Sequence, residues 1–144
     1  MGTIDDAETL ARFNETMAQE TEDKTLDPDT VRAGVYNMLE DSTRGFYLVA
    51  KRADAIVGSL MITTEWSDWR NGTFWWIQSV YVRRTARRRG IYRALHHAVR
   101  KRAMAANDVC GLRLYVERDN EAARETYEAL DMTEMSYRMY EEML

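Results

Sequence analysis

Apolar residues recur at helical spacing in the first part of the chain. A first helix over about 5–20 carries an apolar stripe that includes Leu10. Asp27 is suited to accept hydrogen bonds from free backbone amides as an N-cap, and Pro28 fits the first helical position. The sequence therefore predicts a second helix over about 28–41.

Three strand patterns follow, separated by short polar turns. They cover residues 45–52, 55 to about 64, and 73–83. The third is rich in aromatic and β-branched residues on both faces, which is typical of a strand that is covered on both sides. We expect an antiparallel meander with the third strand at a central position.

The rest of the chain alternates between helix and strand patterns. It predicts a helix that begins near Arg89, a strand over 110–117, a helix over 120–130 and a final strand over 132–140. Strand-helix-strand crossovers usually join parallel neighbours. We therefore expect a single α/β domain of 144 residues, with a mixed, mostly antiparallel central sheet and helices on both faces.

The composition is that of a soluble globular protein, with 45% hydrophobic and 31% charged residues and one Pro. No run approaches the roughly 20 apolar residues that a membrane span needs, and the N-terminus is acidic where a secretory signal is basic. We expect a cytoplasmic protein with no membrane partner. The single cysteine, Cys110, lies in an apolar run and is expected to be a small core residue that forms no acyl-enzyme.

The net charge of −4 conceals a basic segment. Residues 83–107 contain nine Arg and Lys residues and no acidic residue. Such a segment indicates an anionic partner, either phosphate groups or nucleic acid. A nucleic-acid-binding module that uses residues 83–102 therefore remains an alternative, although the acidic remainder argues against nonspecific polyanion binding.

The basic segment takes the third strand through a turn into a helix, which is the arrangement of an anion site. The first amides of a helix point outward, the helix dipole favours negative charge there, and Gly90 lets a ligand approach the backbone. Cations at a helix start are unfavourable unless an anion offsets them. The candidate anion-binding residues are Arg87, Arg88, Arg89, Gly90, Ile91, Tyr92 and Arg93.

Two motifs in this order resemble the Gcn5-related acetyltransferases. Arg87-Arg88-Arg89-Gly90-Ile91-Tyr92 is similar to the family's Gln/Arg-x-x-Gly-x-Gly/Ala signature, with Tyr92 at the last fixed position. Asn120-x-x-Ala123-x-x-x-Tyr127 resembles the family's later helix, and its three residues share one face. The resemblance covers about residue 5 to the end; the family's first strand is missing or truncated here, through a shortened chain or replacement by another subunit.

The resemblance implies the acyl-CoA N-acyltransferase fold and direct acetyl transfer from acetyl-CoA to a primary amine of a small molecule or peptide. It implies that Asn120, Ala123 and Tyr127 border the coenzyme and that Tyr127 protonates the leaving thiolate. It also implies that a backbone amide near a bulge polarises the thioester carbonyl; the candidates are Val80, Tyr81 and Val82. A homodimer is expected at family level, and a catalytically inactive acyl-CoA-binding protein is a further alternative.

The acceptor amine needs a base, because an alkylammonium has a pKa of about 10.4. The candidate catalytic carboxylates are Glu65, Asp68 and Glu117, of which Glu65 is favoured, and ordered water is the other route. An aromatic and acidic group of residues is expected to hold a cationic amine, unless these tryptophans serve packing; the candidates are Trp66, Asp68, Trp69, Trp76, Gln78 and Glu117. His96 and His97 point about 100° apart on a helix, so we expect no metal.

Overall fold

The computed structural model describes all 144 residues as two compact units, 1–114 and 115–144. The first unit contains, in chain order, α1 (Ala7–Glu22), α2 (Pro28–Glu40), β1 (Phe46–Arg52), β2 (Ala55–Ser67), β3 (Gly72–Val82), α3 (Ile91–Ala105) and β4 (Val109–Arg113). Short 3-10 turns precede α1 at Ile4–Asp6 and α3 at Arg84–Ala86. The second unit contains α4 (Glu121–Glu128).

The four strands form one sheet in the order β1-β2-β3-β4. The pairs β1-β2 and β2-β3 are antiparallel, and β3-β4 is parallel through the crossover that contains α3. The predicted mixed, mostly antiparallel sheet is confirmed.

Alternation along the strands gives the sheet two covered faces. One face packs on α3 through Leu48, Leu60, Ile62, Ile77, Leu95 and Val99. The other packs on α1 and α2 through Leu10, Val35, Tyr47 and Met61. Helices therefore lie on both faces, as predicted, and we call these the α3 face and the α1/α2 face.

The predicted start of the second helix is confirmed at atomic level. The Asp27 carboxylate accepts a hydrogen bond from the Thr30 amide at 2.9 Å, and Pro28 is the first residue of α2. Hydrogen bonds from the hydroxyl and amide of Thr30 lower the pKa of Asp27. The local N-cap signal was sufficient to locate this helix end.

Two strand predictions near the end of the chain are wrong. β4 ends at Arg113 instead of residue 117, and residues 132–140 form no strand. Alternating side chains define the two faces of a strand, but a strand also needs a neighbour for its backbone hydrogen bonds. No strand pairs with residues 132–140, and Tyr137 and Tyr140 are exposed.

The expected core position of Cys110 is also wrong. The thiol is exposed, because β4 is a short edge strand. Cys110 lies beside Gly72 at the start of β3. That position is ten residues from Val82, or roughly 30 Å along the strand, so Cys110 is remote from the turn that enters α3.

No strand precedes α1, in agreement with the sequence prediction. The amide of Gly2 nevertheless donates a hydrogen bond to the Tyr47 carbonyl of β1 at 2.8 Å.

None of the helices combines the length and apolarity that crossing a membrane requires.

Candidate functional site

The turn between β3 and α3 has the backbone conformation of an open helix start. Arg88 and Gly90 have φ angles of 59° and 74°, and Gly90 is the N-cap of α3. No side chain caps this helix, and its first helical bond runs from the Ala94 amide to the Gly90 carbonyl at 2.9 Å. The preceding amides of the first turn therefore point toward the open end of α3.

Gly90 leaves the space in front of this helix end empty. A Cβ atom added at Gly90 meets no atom within 4 Å. Arg88, Arg89 and Arg93 surround the turn, are exposed and make no ion pair or hydrogen bond through their side chains. Outward amides and three uncompensated guanidinium groups make this turn suited to a multiply charged anion.

Arg87 and Arg84 differ from Arg88, Arg89 and Arg93 because their side chains are anchored. The Nη2 atom of Arg87 donates to the Glu20 carboxylate of α1 at 2.5 Å, and its Nε atom donates to the Val82 carbonyl at 2.9 Å. Arg84 donates to the other Glu20 oxygen at 2.9 Å. The hydrogen bond from Arg87 lowers the pKa of Glu20, and Arg84 adds to this effect. One carboxylate thus fastens both arginines to α1.

The first turn of α3 also lies close against the sheet. Gly58 on β2 is paired with Val82, and a Cβ atom added at Gly58 would lie 2.9 Å from the Ile91 side chain. Any larger residue at this position would displace α3 or β2. Gly58 therefore helps to set the position of the helix start.

β3 contains the predicted bulge. Ser59 pairs with Tyr81 and Met61 pairs with Gln78, so Ser79 and Val80 stand opposite a single β2 residue. Ser79 has a φ angle of 48°, which marks the point where the strand turns. Val80 packs toward the α3 face, and the Tyr81 ring lies 4.7 Å from the Phe13 ring of α1.

β3 and β4 separate close to this bulge. Trp76 and Arg113 form the last pair between the two strands. Beyond Trp76, β3 has no neighbouring strand on the β4 side. Backbone donors around the bulge are therefore available to a ligand that enters between the strands.

A polar cluster lies on the α1/α2 face at the point of separation. One oxygen of Glu65 accepts hydrogen bonds from Trp76 Nε1 at 2.5 Å and from Arg113 Nη1 at 3.0 Å. Beside them, Gln78 donates to the Thr63 hydroxyl at 2.5 Å. The structure thus brings together three predicted site residues, Glu65, Trp76 and Gln78, and adds Arg113.

The other predicted acceptor residues do not join this cluster. Trp75, which was not among the candidates, is the neighbour of Trp76 in β3 and packs edge-on against Phe46 on the α3 face. Trp66 and Trp69 are 62% and 87% exposed, and Asp68 accepts a hydrogen bond from the Trp69 amide within the β2–β3 turn. Of the tryptophans that were expected to surround an amine, only Trp76 therefore lies in the cluster.

The second unit holds the remaining predicted residues. Asn120 is the N-cap of α4 and accepts from the Ala123 amide at 3.1 Å, and Glu117 accepts from the Asp119 amide at 2.7 Å. The phenol of Tyr127 is half-buried, and burial raises its pKa. Tyr127 therefore keeps its proton throughout the neutral range.

His96 is buried on α3, with no hydrogen-bond partner at either ring nitrogen. Burial lowers its pKa, and the nearby charges of His97 and Arg100 lower it further. The two histidine rings are 6.4 Å apart, and no group of three or more potential ligand side chains is close enough to hold a metal ion.

Sequence reasoning missed Glu20, Gly58 and Arg113. Glu20 contacts arginines more than 60 positions along the chain, and Arg113 meets Glu65 across the intervening strand β3. Both contacts depend on tertiary structure. Arg113 alone had a local signal, since it is a charged residue between Leu112 and Leu114 in a strand pattern.

Residues 8–132 match the acetyltransferase (GNAT) family. A possible acetyltransferase from Clostridium difficile 630 is 45% identical, with a TM-score of 0.93 over 99% of this chain and 94% of that protein. No curated protein sequence gives a significant match.

More distant structures share the fold. A ribosomal-protein-alanine N-acetyltransferase from Brucella melitensis biovar Abortus 2308 is 19% identical, with a TM-score of 0.78 over 99% of this chain and 95% of that one. An aminoglycoside acetyltransferase from an uncultured soil metagenomic sample is 16% identical, with a TM-score of 0.73 and the same coverage. With the family match over residues 8–132 and the similarity to the Clostridium protein, the chain belongs to the GNAT acetyltransferase family.

Proposed function

We propose that this protein transfers an acetyl group directly from acetyl-CoA to a primary amine of a small molecule or peptide. The observation that carries the proposal is the turn between β3 and α3. It combines an open helix start at Gly90 with three uncompensated arginines, Arg88, Arg89 and Arg93. This turn fits a pyrophosphate, which carries charge on several oxygens.

The coenzyme-binding role is divided among the residues of the turn. Arg88, Arg89 and Arg93 bind the phosphates together with the backbone amides of the first turn of α3, which begins at Ile91. Arg87 supports the turn from behind through Glu20 and Val82. The family resemblance adds Tyr92 on α3 and, from the second unit, Asn120 and Ala123.

The bulge in β3 supports stabilisation of the thioester carbonyl. Ser79 and Val80 interrupt the regular ladder, and β4 has already left β3 at Trp76. An amide in the segment that runs through Tyr81 to Val82 donates to the carbonyl oxygen as negative charge develops there. A backbone donor fixed in a strand needs no reorganisation during the reaction.

Tyr127 is the proposed proton donor. The amine nitrogen bonds to the carbonyl carbon, the carbon–sulfur bond breaks, and the thiolate receives the phenolic proton. The proton that the ammonium loses passes to Glu65 or to ordered water, and solvent restores the phenol. The phenol of Tyr127 carries its proton at neutral pH, as a proton donor must, and the raised pKa that burial causes leaves this unchanged.

The proposal is tested by incubating the purified protein with acetyl-CoA and a panel of primary amines. Release of free thiol and the mass of the acetylated amine are measured, with amine-free samples as the control for hydrolysis. Amine-dependent thiol release with matching acetylated product is expected. Failure to bind coenzyme A and to acetylate any amine would refute the proposal.

A cytoplasmic location and a homodimer stay predictions. The dimer is tested by sedimentation equilibrium of the full chain, where a mass of twice 16.9 kDa is expected.

A further inference from the structure

We infer that the acceptor is an amine that carries a carboxylate close to its amino group, with free α-amino acids as the simplest class. This inference rests on the proposed function and concerns the polar cluster formed by Glu65, Trp76 and Arg113. The cluster offers one fixed cation and one fixed anion side by side. Such a pair is complementary to a zwitterion.

The guanidinium group of Arg113 is held rigidly before any ligand arrives. It lies over the Phe74 ring, 3.6 Å from the ring centroid, and its Nη1 atom donates to Glu65. Gly111 makes this stacking possible, because a Cβ atom added there would lie 2.7 Å from the Phe74 ring. A planar guanidinium held in this way loses little freedom when it binds a carboxylate.

One edge of Arg113 is open for a ligand. Only Nη1 is engaged, so Nε and Nη2 retain hydrogen-bond donors without partners. These two atoms lie on the same edge of the guanidinium group and match the two oxygens of a carboxylate. The Arg113 side chain is 34% exposed, so the guanidinium group is not sealed from solvent.

Glu65 supplies the complementary half of the cluster. Its Oε2 atom accepts both the Trp76 and the Arg113 hydrogen bonds, and Oε1 accepts none. Oε1 can therefore accept from an ammonium group while the internal ion pair stays intact.

The charge balance of the cluster favours a zwitterion over a simple amine. Glu65 and Arg113 neutralise each other in the free protein. A simple alkylammonium brings one further positive charge next to Arg113, whereas an amino acid brings one charge of each sign. Like charges at close range are unfavourable in a partly buried site.

The cluster is also close to the proposed reaction point. Trp76 and Arg113 form the last pair before β3 and β4 separate, and the β3 bulge begins three residues after Trp76. Three residues of strand span about 10 Å. An amino acid bound by Glu65 and Arg113 therefore lies on the same stretch of β3 as the bulge, about 10 Å from the point where the bulge begins.

The first test changes only the substrate. The kcat/KM of the wild-type enzyme is measured for amino acids, for the corresponding amino acid amides and for simple alkylamines of equal length. Removal of the carboxylate is expected to lower kcat/KM by about 10- to 100-fold, as for the loss of charge-assisted hydrogen bonds. No protein variant is needed, so folding does not affect this result.

The second test removes the two charged groups in turn. Arg113→Met is expected to abolish the preference for acids over amides, and Arg113→Lys to restore part of it. Glu65→Gln is expected to lower kcat/KM for both substrate types, because it removes the ammonium contact and one proposed proton acceptor. The matched controls are Arg44→Met and Glu8→Gln. They break the ion pairs Arg44–Asp41 and Arg32–Glu8, which include no residue of the polar cluster, and should leave the preference for acids over amides unchanged.

Two failures are distinguishable. Acetylation of amines with equal efficiency whether or not they carry a carboxylate, or a strong preference for peptide N-termini, overturns this inference and leaves the proposed function standing. Absence of both coenzyme binding and acetyl transfer overturns the proposed function itself.

Discussion

The Glu20 carboxylate of α1 lies 2.5 Å from the Nη2 atom of Arg87, which belongs to the turn that enters α3. The same carboxylate holds Arg84 at 2.9 Å. The side chain of Glu20 is only 15% exposed, whereas Arg87 and Arg84 are 42% and 74% exposed, so it is the carboxylate side of the bridge that is shielded from solvent. Helix α1, which packs on the α1/α2 face, is thereby linked to the proposed coenzyme site.

Loss of this link should weaken coenzyme binding. Glu20→Gln and Arg87→Gln are each expected to raise the Kd for acetyl-CoA by about 3- to 30-fold, because the turn is no longer held in its binding conformation. The double variant should weaken binding by less than the sum of the two single effects in free energy, because both substitutions break the Glu20–Arg87 contact. Calorimetric titration measures all three.

The control for this comparison of single and double variants is Arg88→Gln, because Arg88 has no contact with Glu20. Its effect on the binding free energy should add to that of Glu20→Gln. Additive effects of Glu20→Gln and Arg87→Gln would show that the carboxylate does not act through Arg87.

Gly90→Ala should affect coenzyme binding more than stability. The φ angle of 74° costs a residue with a Cβ about 1 kcal/mol, while the added methyl group projects into open space where the anion is proposed to bind. Chemical unfolding and calorimetric titration are compared for the same variant.

Gly34→Ala is the matched control, because Gly34 is a helical residue with equally open surroundings. This substitution is expected to raise the free energy of unfolding by up to about 1 kcal/mol. Unaltered acetyl-CoA affinity in Gly90→Ala would contradict the proposed anion site.

Tyr127→Phe should lower kcat roughly 100-fold, in the range expected for a general acid, with a much smaller change in the KM for acetyl-CoA. Initial rates of thiol release at several coenzyme concentrations separate the two parameters. Tyr140→Phe is the control, since Tyr140 is 91% exposed. Equal kcat values for the wild type and Tyr127→Phe would exclude the phenol as proton donor.

The buried His96 predicts a fall in stability below neutral pH. Burial lowers its pKa in the folded protein, whereas the unfolded chain takes up the proton at its ordinary pKa of about 6.5. The stabilisation that comes from burying neutral His96 is therefore fully present above about pH 6.5. It is lost as the pH falls from there toward the pKa of His96 in the folded protein. Urea unfolding between pH 5 and pH 8 is expected to show this loss in the wild type and in His97→Leu, but a smaller loss in His96→Leu. An equal pH dependence in all three proteins would assign the effect to other groups.

The elements with local signals could be predicted from the sequence. Asp27 and Pro28 specify the start of α2, and Gly90 specifies the start of α3. The alternating pattern of residues 132–140 was misleading, because it contains no information about which strand supplies the backbone hydrogen bonds. Predicting a strand therefore requires its partner as well as its pattern.

The candidate site was predictable only in part for a related reason. The basic turn is one continuous segment, so its anion-binding character is visible in the sequence. The residues that determine the role of each side chain are distant along the chain. Glu20 anchors Arg87 and so gives it a different role from Arg88, and Arg113 donates a hydrogen bond to Glu65. Such pairings follow from the folded sheet and helices.

The most direct test of the central claim is calorimetric titration of acetyl-CoA into the wild-type protein and into a folded Arg88→Gln, Arg89→Gln double variant. The proposed site predicts saturable, one-to-one binding to the wild type, a Kd at least about 10-fold weaker in the double variant, and a smaller difference when acetylpantetheine, which lacks the pyrophosphate, replaces acetyl-CoA. Absence of binding to the folded wild type, or equal affinity of both proteins for acetyl-CoA, would contradict the claim that this turn binds the coenzyme.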